Sequence, residues 1–500
     1  MHRSSLVAGS AAALTLLLGA CGGPSAPAAS SSVVKIGITT EAGSNYDPVT
    51  NPNAFATGYL SPVFDTLLTR TDAGGFAPGL ATSYTVAPSG KTVTLALRPG
   101  VTFQDGAKFD AAAVVTNLER ARTAKNSVVK LELATVTKVL AVNPSTVEID
   151  LSGGAGALLG SLTGRVGMMG SPAKLTDPSF PNKPIGAGPW KVSDESVVGQ
   201  RMVYTAYDGY WDKSVQKVQR IELSLVTAES MGNALLGGQI DIGSVEGRRD
   251  MIPQLTKAGF TQQNFPAIPY EHMLYLRKTG PLADVRVRQA ISLAIDRDAL
   301  NSQVLESACT PQAAVQALPQ PSTGAAPKAD LAAAKQLLAE AGYPQGLDVK
   351  VVVSSAGPGS KILQAMQGQL AKAGVRLSIN PMARAQLLST YVGGGADGYF
   401  TVNTGDADPA SLVAQLSTTL SPGGFSDPVL NGLAAKGANT VDAGARTKAY
   451  TDWNQRFTST AFGIGICNLQ LPYMVRSGID GLKVGSPLHI DPRGLQVRRP

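Results

Sequence analysis

Apolar and polar positions near the start of the ordered chain follow the period of a buried strand. The run "VVKIGITT", residues 33–40, is β-branched and ends in a polar loop that contains Asn45 and Tyr46. Such a run is typical of a strand inside a sheet. We expect Asn45 and Tyr46, in the loop after this strand, to contact a ligand.

Apolar runs that are typical of buried strands also occur farther along the chain. The apolar runs "QRIELSLV" (219–226) and "QIDIGSV" (239–245) flank a helical pattern around Met231 and Leu235 that stops at Gly237. Glycine commonly ends helices. The order strand, helix, strand predicts an α/β lobe.

A second α/β lobe is predicted between residues 330 and 402. Asp330 can cap a helix that ends near Gly342. The further predicted elements are the strand "LDVKVVV" (347–353), a helix over 362–370, the strand "VRLSI" (375–379), a short helix near Leu387 and the strand "YFTV" (399–402).

Two aspartates follow the last of these strands, in "NTGDADPASL" (403–412). Ligands of open α/β sheets bind beyond the carboxyl ends of the strands, so Asp406 is predicted to contact a ligand. Asp408 precedes Pro409 and an apolar helical pattern, which predicts a helix cap with proline at the first helical position.

Composition excludes several classes of protein. The chain has 500 residues, 43% of them apolar and 16% charged, which indicates a folded protein of two or three domains. Its 43 basic and 36 acidic residues form no basic stripe, so nucleic-acid binding is not expected. The chain holds three histidines and no G-x-S-x-G motif, and we expect neither a catalytic site, a metal site nor a cofactor.

The first residues resemble an export signal. An apolar run of about 15 residues, shorter than the roughly 20 of a membrane span, ends in "LGAC" at Cys21. This end resembles the lipobox of bacterial lipoproteins, which implies a signal peptide over 1–20 and lipidation of Cys21. A tether rich in Gly, Ala, Pro and Ser over 21–32 follows.

Export would place Cys309 and Cys467 in an oxidising compartment, where a disulfide can persist. A bond between them and two separate buried thiols are both compatible with the sequence.

Several segments together resemble the family 5 extracellular solute-binding proteins of ABC importers, which include dipeptide-, oligopeptide- and nickel-binding lipoproteins. The resemblance runs from about residue 33 to the C-terminus. The segments that carry it, in family order, are "FAPGLATSY" (76–84), "LRPGVTFQDGAKFDAAAVVTNLER" (97–120), "IGAGPWKV" (185–192), "YDGYW" (207–211), "PLADVRVRQAISLAIDRDAL" (281–300) and "AKQLLAEAGYPQG" (334–346).

The resemblance implies a two-lobe, periplasmic-binding-protein-like (class II) α/β fold that closes on a ligand. Lobe I would comprise residues 33–270, with an extra subdomain at about 76–190, and would be rejoined by residues 476–500. Lobe II would comprise residues 271–475.

The resemblance also suggests site residues. The strand "YEHMLYL" offers Tyr270 and His272 near the cleft, either as ligand contacts or as ordinary strand residues on a solvent face. Peptide binders of the family have a W-x-G-D segment whose aspartate pairs with the ligand amine. Here "NTGD" keeps Asp406 but has Asn403 at the tryptophan position. The loop "SSAGPGS" lacks the arginine that holds a dipeptide carboxylate, so a free dipeptide is not the favoured ligand, and a longer peptide or another cationic or amphiphilic solute remains open.

The function expected from this resemblance is capture of an oligopeptide-like or other cationic solute by a monomeric lipoprotein. Lipidated Cys21 would anchor it to the outer face of the cell membrane, and it would deliver the solute to an ABC permease and its ATPase. A solute sensor without a permease has the same sequence features. An exported hydrolase would need a nucleophile and a base that the sequence does not offer.

Overall fold

A computed structural model describes the chain over residues 32–39, 45–53, 56–71, 75–265, 270–312, 327–355, 359–404, 409–417, 420, 422, 426–469, 471–485 and 489–498. The predicted signal peptide, Cys21 and most of the tether lie outside the described residues.

The strands in chain order are β1 (Val33–Ile38), β2 (Leu68–Arg70), β3 (Phe76–Pro78), β4 (Ala81–Val86), β5 (Thr92–Leu97), β6 (Val136–Asn143), β7 (Thr146–Leu151), β8 (Trp190–Val192), β9 (Arg201–Ala206), β10 (Arg220–Leu225), β11 (Ile242–Ser244), β12 (Phe260–Phe265), β13 (Tyr270–Leu276), β14 (Cys309–Pro311), β15 (Leu347–Ser354), β16 (Val375–Met382), β17 (Gly398–Thr404), β18 (Gly463–Leu469), β19 (Leu471–Arg476), β20 (Ile479–Asp480), β21 (Lys483–Gly485), β22 (His489–Asp491) and β23 (Gln496–Val497).

The α-helices are α1 (Thr57–Leu60), α2 (Ala111–Thr123), α3 (Gly156–Ser161), α4 (Ala228–Leu236), α5 (Ile252–Lys257), α6 (Val285–Leu293), α7 (Arg297–Val304), α8 (Leu331–Glu340), α9 (Gly359–Ala373), α10 (Arg384–Val392), α11 (Pro409–Ser417), α12 (Pro428–Asn439) and α13 (Ala443–Ser459). Short 3₁₀ segments cover Lys130–Leu133, Arg165–Gly167, Glu246–Met251 and Gly280–Ala283.

Three sheets of four or more strands organise the described residues, beside three two-stranded sheets. The first has the order β12-β19-β11-β1-β10-β9-β8, with β1 parallel to β10 and β11. The second has the order β14-β18-β13-β17-β15-β16, with β15 parallel to β16 and β17. The third, β4-β5-β7-β6, is antiparallel and lies within the predicted subdomain.

Many helices and strands predicted from the sequence are present in the structure at the expected residues. Asp330 caps α8 by accepting a hydrogen bond from the backbone N–H of Ala333, at 2.9 Å. The helix α11 begins at Pro409, as expected, but Asp408 lies outside the described residues. The amphipathic segment 281–300 forms two helices, α6 and α7, and Asp296 caps the second through the N–H of Ala299.

The chain passes between the first two sheets twice. It leaves the first sheet after β12 and enters the second at β13, and it leaves the second after β18 and returns to the first at β19. The return therefore occurs at Leu471, before the predicted boundary at 475–476. The physical reason is that Leu471–Arg476 pairs with β11 and β12, so its backbone hydrogen bonds belong to the first sheet.

The two faces of the second sheet carry separate cores. Alternate residues of a strand point to opposite faces. On β13, Leu274 and Leu276 join a core with α6–α9, whereas Met273 and Tyr275 join a core with α10–α13. This alternation decides which polar residues of β13 share a face.

Candidate functional site

A row of buried polar side chains crosses the second sheet next to the two chain crossings. Glu271 on β13 is paired with Asn403 on β17 and with Asn468 on β18. Directly opposed residues of antiparallel strands lie on the same face, with Cβ atoms about 5 Å apart. Glu271 is 2% exposed, Asn403 7% and Asn468 8%. We call these three residues the polar row.

The polar row continues toward the core through a tyrosine. The side-chain amide of Asn403 donates a hydrogen bond to the hydroxyl of Tyr275. Burial raises the pKa of the Tyr275 phenol well above its usual value, and the negative charge of nearby Glu271 raises it further. Tyr275 therefore stays neutral and can accept the hydrogen bond. Asn403, which stands at the tryptophan position of the family's peptide binders, thus already has a partner within the protein.

His272 lies on the opposite face of the sheet from the polar row. Its ring stacks on Phe400, with centroids 5.8 Å apart and an interplanar angle of 27°. Burial lowers the pKa of His272 to about 4, so the ring is neutral at physiological pH. The structure gives His272 a packing role in the core beside α6–α9, because the period of β13 turns its side chain away from the polar row.

The predicted ligand residues of the first lobe form a turn. Asn45 donates a hydrogen bond from its side-chain amide to the hydroxyl of Thr50, at 2.9 Å, and accepts one from the N–H of Asp47. Tyr46 is buried in the core under the first sheet. The buried carboxylate of Asp47 forms an ion pair with Arg120. The side-chain amide of Asn45 is thus used within the loop, and the ring of Tyr46 packs in the core.

Three further predicted residues, Tyr270, Asp406 and Asp408, lie at or beyond the edge of the described residues. The backbone of Tyr270 pairs with Thr404, at the start of β13. Asp406 follows β17 outside the described residues, and so does Asp408. The end of β17, at Thr404, lies beside the start of β13, at Tyr270.

The two cysteines of the second sheet are joined by a disulfide bond. Cys309 on β14 and Cys467 on β18 have Cα atoms 5.8 Å apart. The bond ties the edge strand β14 to the strand from which the chain returns to the first sheet.

Glu246, which follows β11 of the first sheet, is an acidic residue that the sequence did not identify as a candidate site residue. Burial raises the pKa of Glu246 to about 7, against the opposing effect of the Arg249 charge. Arg249 donates to the carbonyl oxygen of Ala308, at 3.5 Å, so this segment contacts the chain next to β14 of the second sheet. The available signal was the position of an acidic residue just past the carboxyl end of a buried strand, in "DIGSVEG".

Over the described residues, no group of three or more His, Cys, Asp or Glu side chains is arranged to hold a metal ion. A helix with the length and apolar character of a membrane span is likewise not found in the described part of the chain.

Comparison with known proteins assigns the chain to a family. Residues 75–425 match the family described as "Bacterial extracellular solute-binding proteins, family 5 Middle". The chain belongs to this family. The prediction made from the sequence motifs is thereby confirmed.

Curated relatives of this family-5 protein include glutathione-binding proteins. The glutathione-binding protein GsiB of Salmonella paratyphi A is 31% identical over 349 residues, which is 63% of each chain. The alignment thus spans less than two thirds of that relative's length. GsiB of Escherichia coli O157:H7 is 28% identical over 494 residues, or 90% of each chain.

Solved structures share the fold. NikA of Brucella suis, in complex with Fe(III)-EDTA, has a TM-score of 0.81 and 22% identity, covering 93% of this chain and 100% of its own. The binding protein AgaA of A. tumefaciens R10, in complex with agropinic acid, has a TM-score of 0.77 and 23% identity, covering 93% and 99%. DppA of Helicobacter pylori, in complex with the peptide STSA, has a TM-score of 0.77 and 19% identity, covering 93% and 98%. The mixed α/β two-lobe fold expected from the sequence is thus confirmed.

Proposed function

We propose that this protein is the lipid-anchored solute-binding component of an ABC importer, which captures an oligopeptide-like or other cationic solute between its two lobes and delivers it to the permease. The family supports the solute-binding role. The predicted lipidation of Cys21 and the partnership with permease and ATPase subunits are parts of the proposal.

The observation that carries the proposal is the buried carboxylate of Glu271 within the polar row, beside the two chain crossings. A second carboxylate, Glu246, lies past the end of β11 and within reach of Arg249. Asp406 is the third acidic group, predicted from the sequence. An acidic group in a water-poor site favours an amine or guanidinium ligand, because charge-assisted hydrogen bonds are stronger there than in water.

Closure of the two lobes would couple ligand capture to delivery. A ligand that contacts both lobes binds the closed form better than the open form, and it shifts the population toward the closed form. The two crossings, from β12 to β13 and from β18 to β19, are the places at which such a motion can hinge. No bond is made or broken in this function.

Native mass spectrometry of the purified protein tests the proposal first, because a co-purified solute shows its mass directly. Calorimetry then compares three probes: glutathione, the tetrapeptide STSA and the cationic tripeptide Lys-Ala-Lys. We expect Lys-Ala-Lys to bind more tightly than glutathione. The proposal for a cationic solute is overturned if glutathione binds and Lys-Ala-Lys does not.

Membrane anchoring is tested separately. The wild-type protein should fractionate with membranes of the expressing cells, whereas Cys21→Ala should be released in soluble form. Equal fractionation of the two proteins would overturn the anchor.

A further inference from the structure

The subdomain of the first lobe also contacts the helices of the second lobe. The side-chain oxygen of Asn439, at the end of α12, accepts a hydrogen bond from the backbone N–H of Gly154, at 2.7 Å. Gly154 belongs to the segment 153–156, which follows β7 and ends at the first residue of α3, and which we call the glycine notch.

The backbone of the glycine notch lies so close to the end of α12 that a side chain larger than glycine would clash there. A Cβ atom at Gly154 would lie 2.6 Å from the Cα of Asn439, and one at Gly156 would lie 2.2 Å from the carbonyl oxygen of Thr440. Neither glycine has the positive φ that favours glycine for conformational reasons. The contact with the α12–α13 turn is therefore what a side chain at these positions would disturb.

Side chains around the notch extend the contact. Val441, in the turn between α12 and α13, packs against the core of the third sheet. The guanidinium of Arg446 on α13 lies 5.6 Å from the ring centroid of Phe76 on β3. The contact thus combines a hydrogen bond, an apolar insertion and a cation–π interaction, each modest by itself.

Apart from the partly buried Val441, the two surfaces are anchored in separate cores. The notch precedes Leu158, which packs in the core of the third sheet. The turn is held by Leu430 and Trp453, which pack in the core of the second sheet. The contact can therefore open while both cores remain intact.

We propose that the glycine notch and the α12–α13 turn form a latch that holds the two lobes closed and thereby sets the affinity for the solute. The effect on affinity rests on the solute-binding function proposed above. The latch would make the closed form substantially populated without ligand. Since apparent affinity scales with the population of the binding-competent form, a weaker latch lowers affinity without touching the ligand.

The lobe separation tests the latch without any ligand. Spin labels would be placed at Leu131→Cys in the subdomain and Val429→Cys on α12, in a Cys21→Ala background. Leu131 is 87% exposed and Val429 53%, so both accept labels. The label-to-label distance is then measured by pulsed electron resonance in the parent, Asn439→Ala and Gly156→Ala.

The matched control is Gly432→Ala, also on α12, where a Cβ atom meets nothing within 4 Å. We expect longer distances in Asn439→Ala and Gly156→Ala and the parental distribution in Gly432→Ala. Parental distributions in both latch variants would overturn the latch. If Gly156→Ala fails to fold, Asn439→Ala, which changes an exposed side chain, decides alone.

Affinity for Lys-Ala-Lys and for glutathione is measured in the same variants. Loss of one hydrogen bond of the latch should weaken binding of either probe about three- to tenfold. Longer distances with unchanged affinity would overturn the link to affinity. If the parent binds neither probe, the proposed solute class fails, whereas the distance measurement still decides the latch.

Discussion

The side-chain amide of Asn403 donates a hydrogen bond to the hydroxyl of Tyr275 across the β13–β17 pair. Both side chains are buried. Removal of one partner leaves the other buried without this hydrogen bond, which costs more than the hydrogen bond itself contributes.

Asn403→Leu should therefore lower the free energy of unfolding by about 1 to 3 kcal/mol. Tyr275→Phe removes the other partner, so the double variant should lose less than the sum of the two single variants. Urea unfolding of the parent and the three variants measures this coupling. Additive losses would show that the two groups do not interact.

Asp406→Asn should weaken the binding of Lys-Ala-Lys by about tenfold to a hundredfold, because a hydrogen bond to a charged group contributes roughly 1.5 to 3 kcal/mol. Calorimetry measures the affinity. Asp408→Ala is the matched control from the same segment. It should leave the affinity unchanged and lower the free energy of unfolding by about 1 kcal/mol, as expected for a helix cap. Equal affinity in Asp406→Asn and the parent contradicts the amine contact.

His272 should make the protein less stable in acid. Its pKa is about 4 in the folded state, below the ordinary 6.5, because of burial. Between these values the unfolded chain binds a proton that the folded chain does not, so stability falls as the pH decreases from 6.5 to 4. The loss should reach roughly 3 kcal/mol, since one pKa unit corresponds to about 1.4 kcal/mol.

The measurement for His272 is urea unfolding at pH 7, 5.5 and 4. His272→Leu should show a shallower decline than the parent over this range. An NMR titration that finds the His272 pKa near 6.5 would contradict the prediction.

The Cys309–Cys467 disulfide closes a loop with a sequence separation of 158 residues. Cys309→Ala combined with Cys467→Ala should lower the free energy of unfolding by about 2 to 5 kcal/mol, because the unfolded chain gains freedom. Reduction of the parent with dithiothreitol should give the same loss, and the double variant should not respond to it. A parent that is unaffected by reduction would contradict the stabilising role.

The sequence by itself determined the α/β class, most strands and helices and the family, because these depend on local periods, capping residues and turn formers. Examples are the helix cap at Asp330 and the start of α11 at Pro409. Such signals act over a few residues, and tertiary packing reinforces them here.

Only the tertiary structure decided which polar residues meet. His272 and Glu271 are neighbours in sequence, yet the period of the strand sends one into the core beside Phe400 and the other into the polar row. Two hydrogen bonds join residues that are far apart in the chain: Asn403 with Tyr275, and Gly154 with Asn439. The surroundings of Glu246 were likewise visible only in the structure. Local pattern carries no information about such distances, because they are set by how the sheets and helices pack.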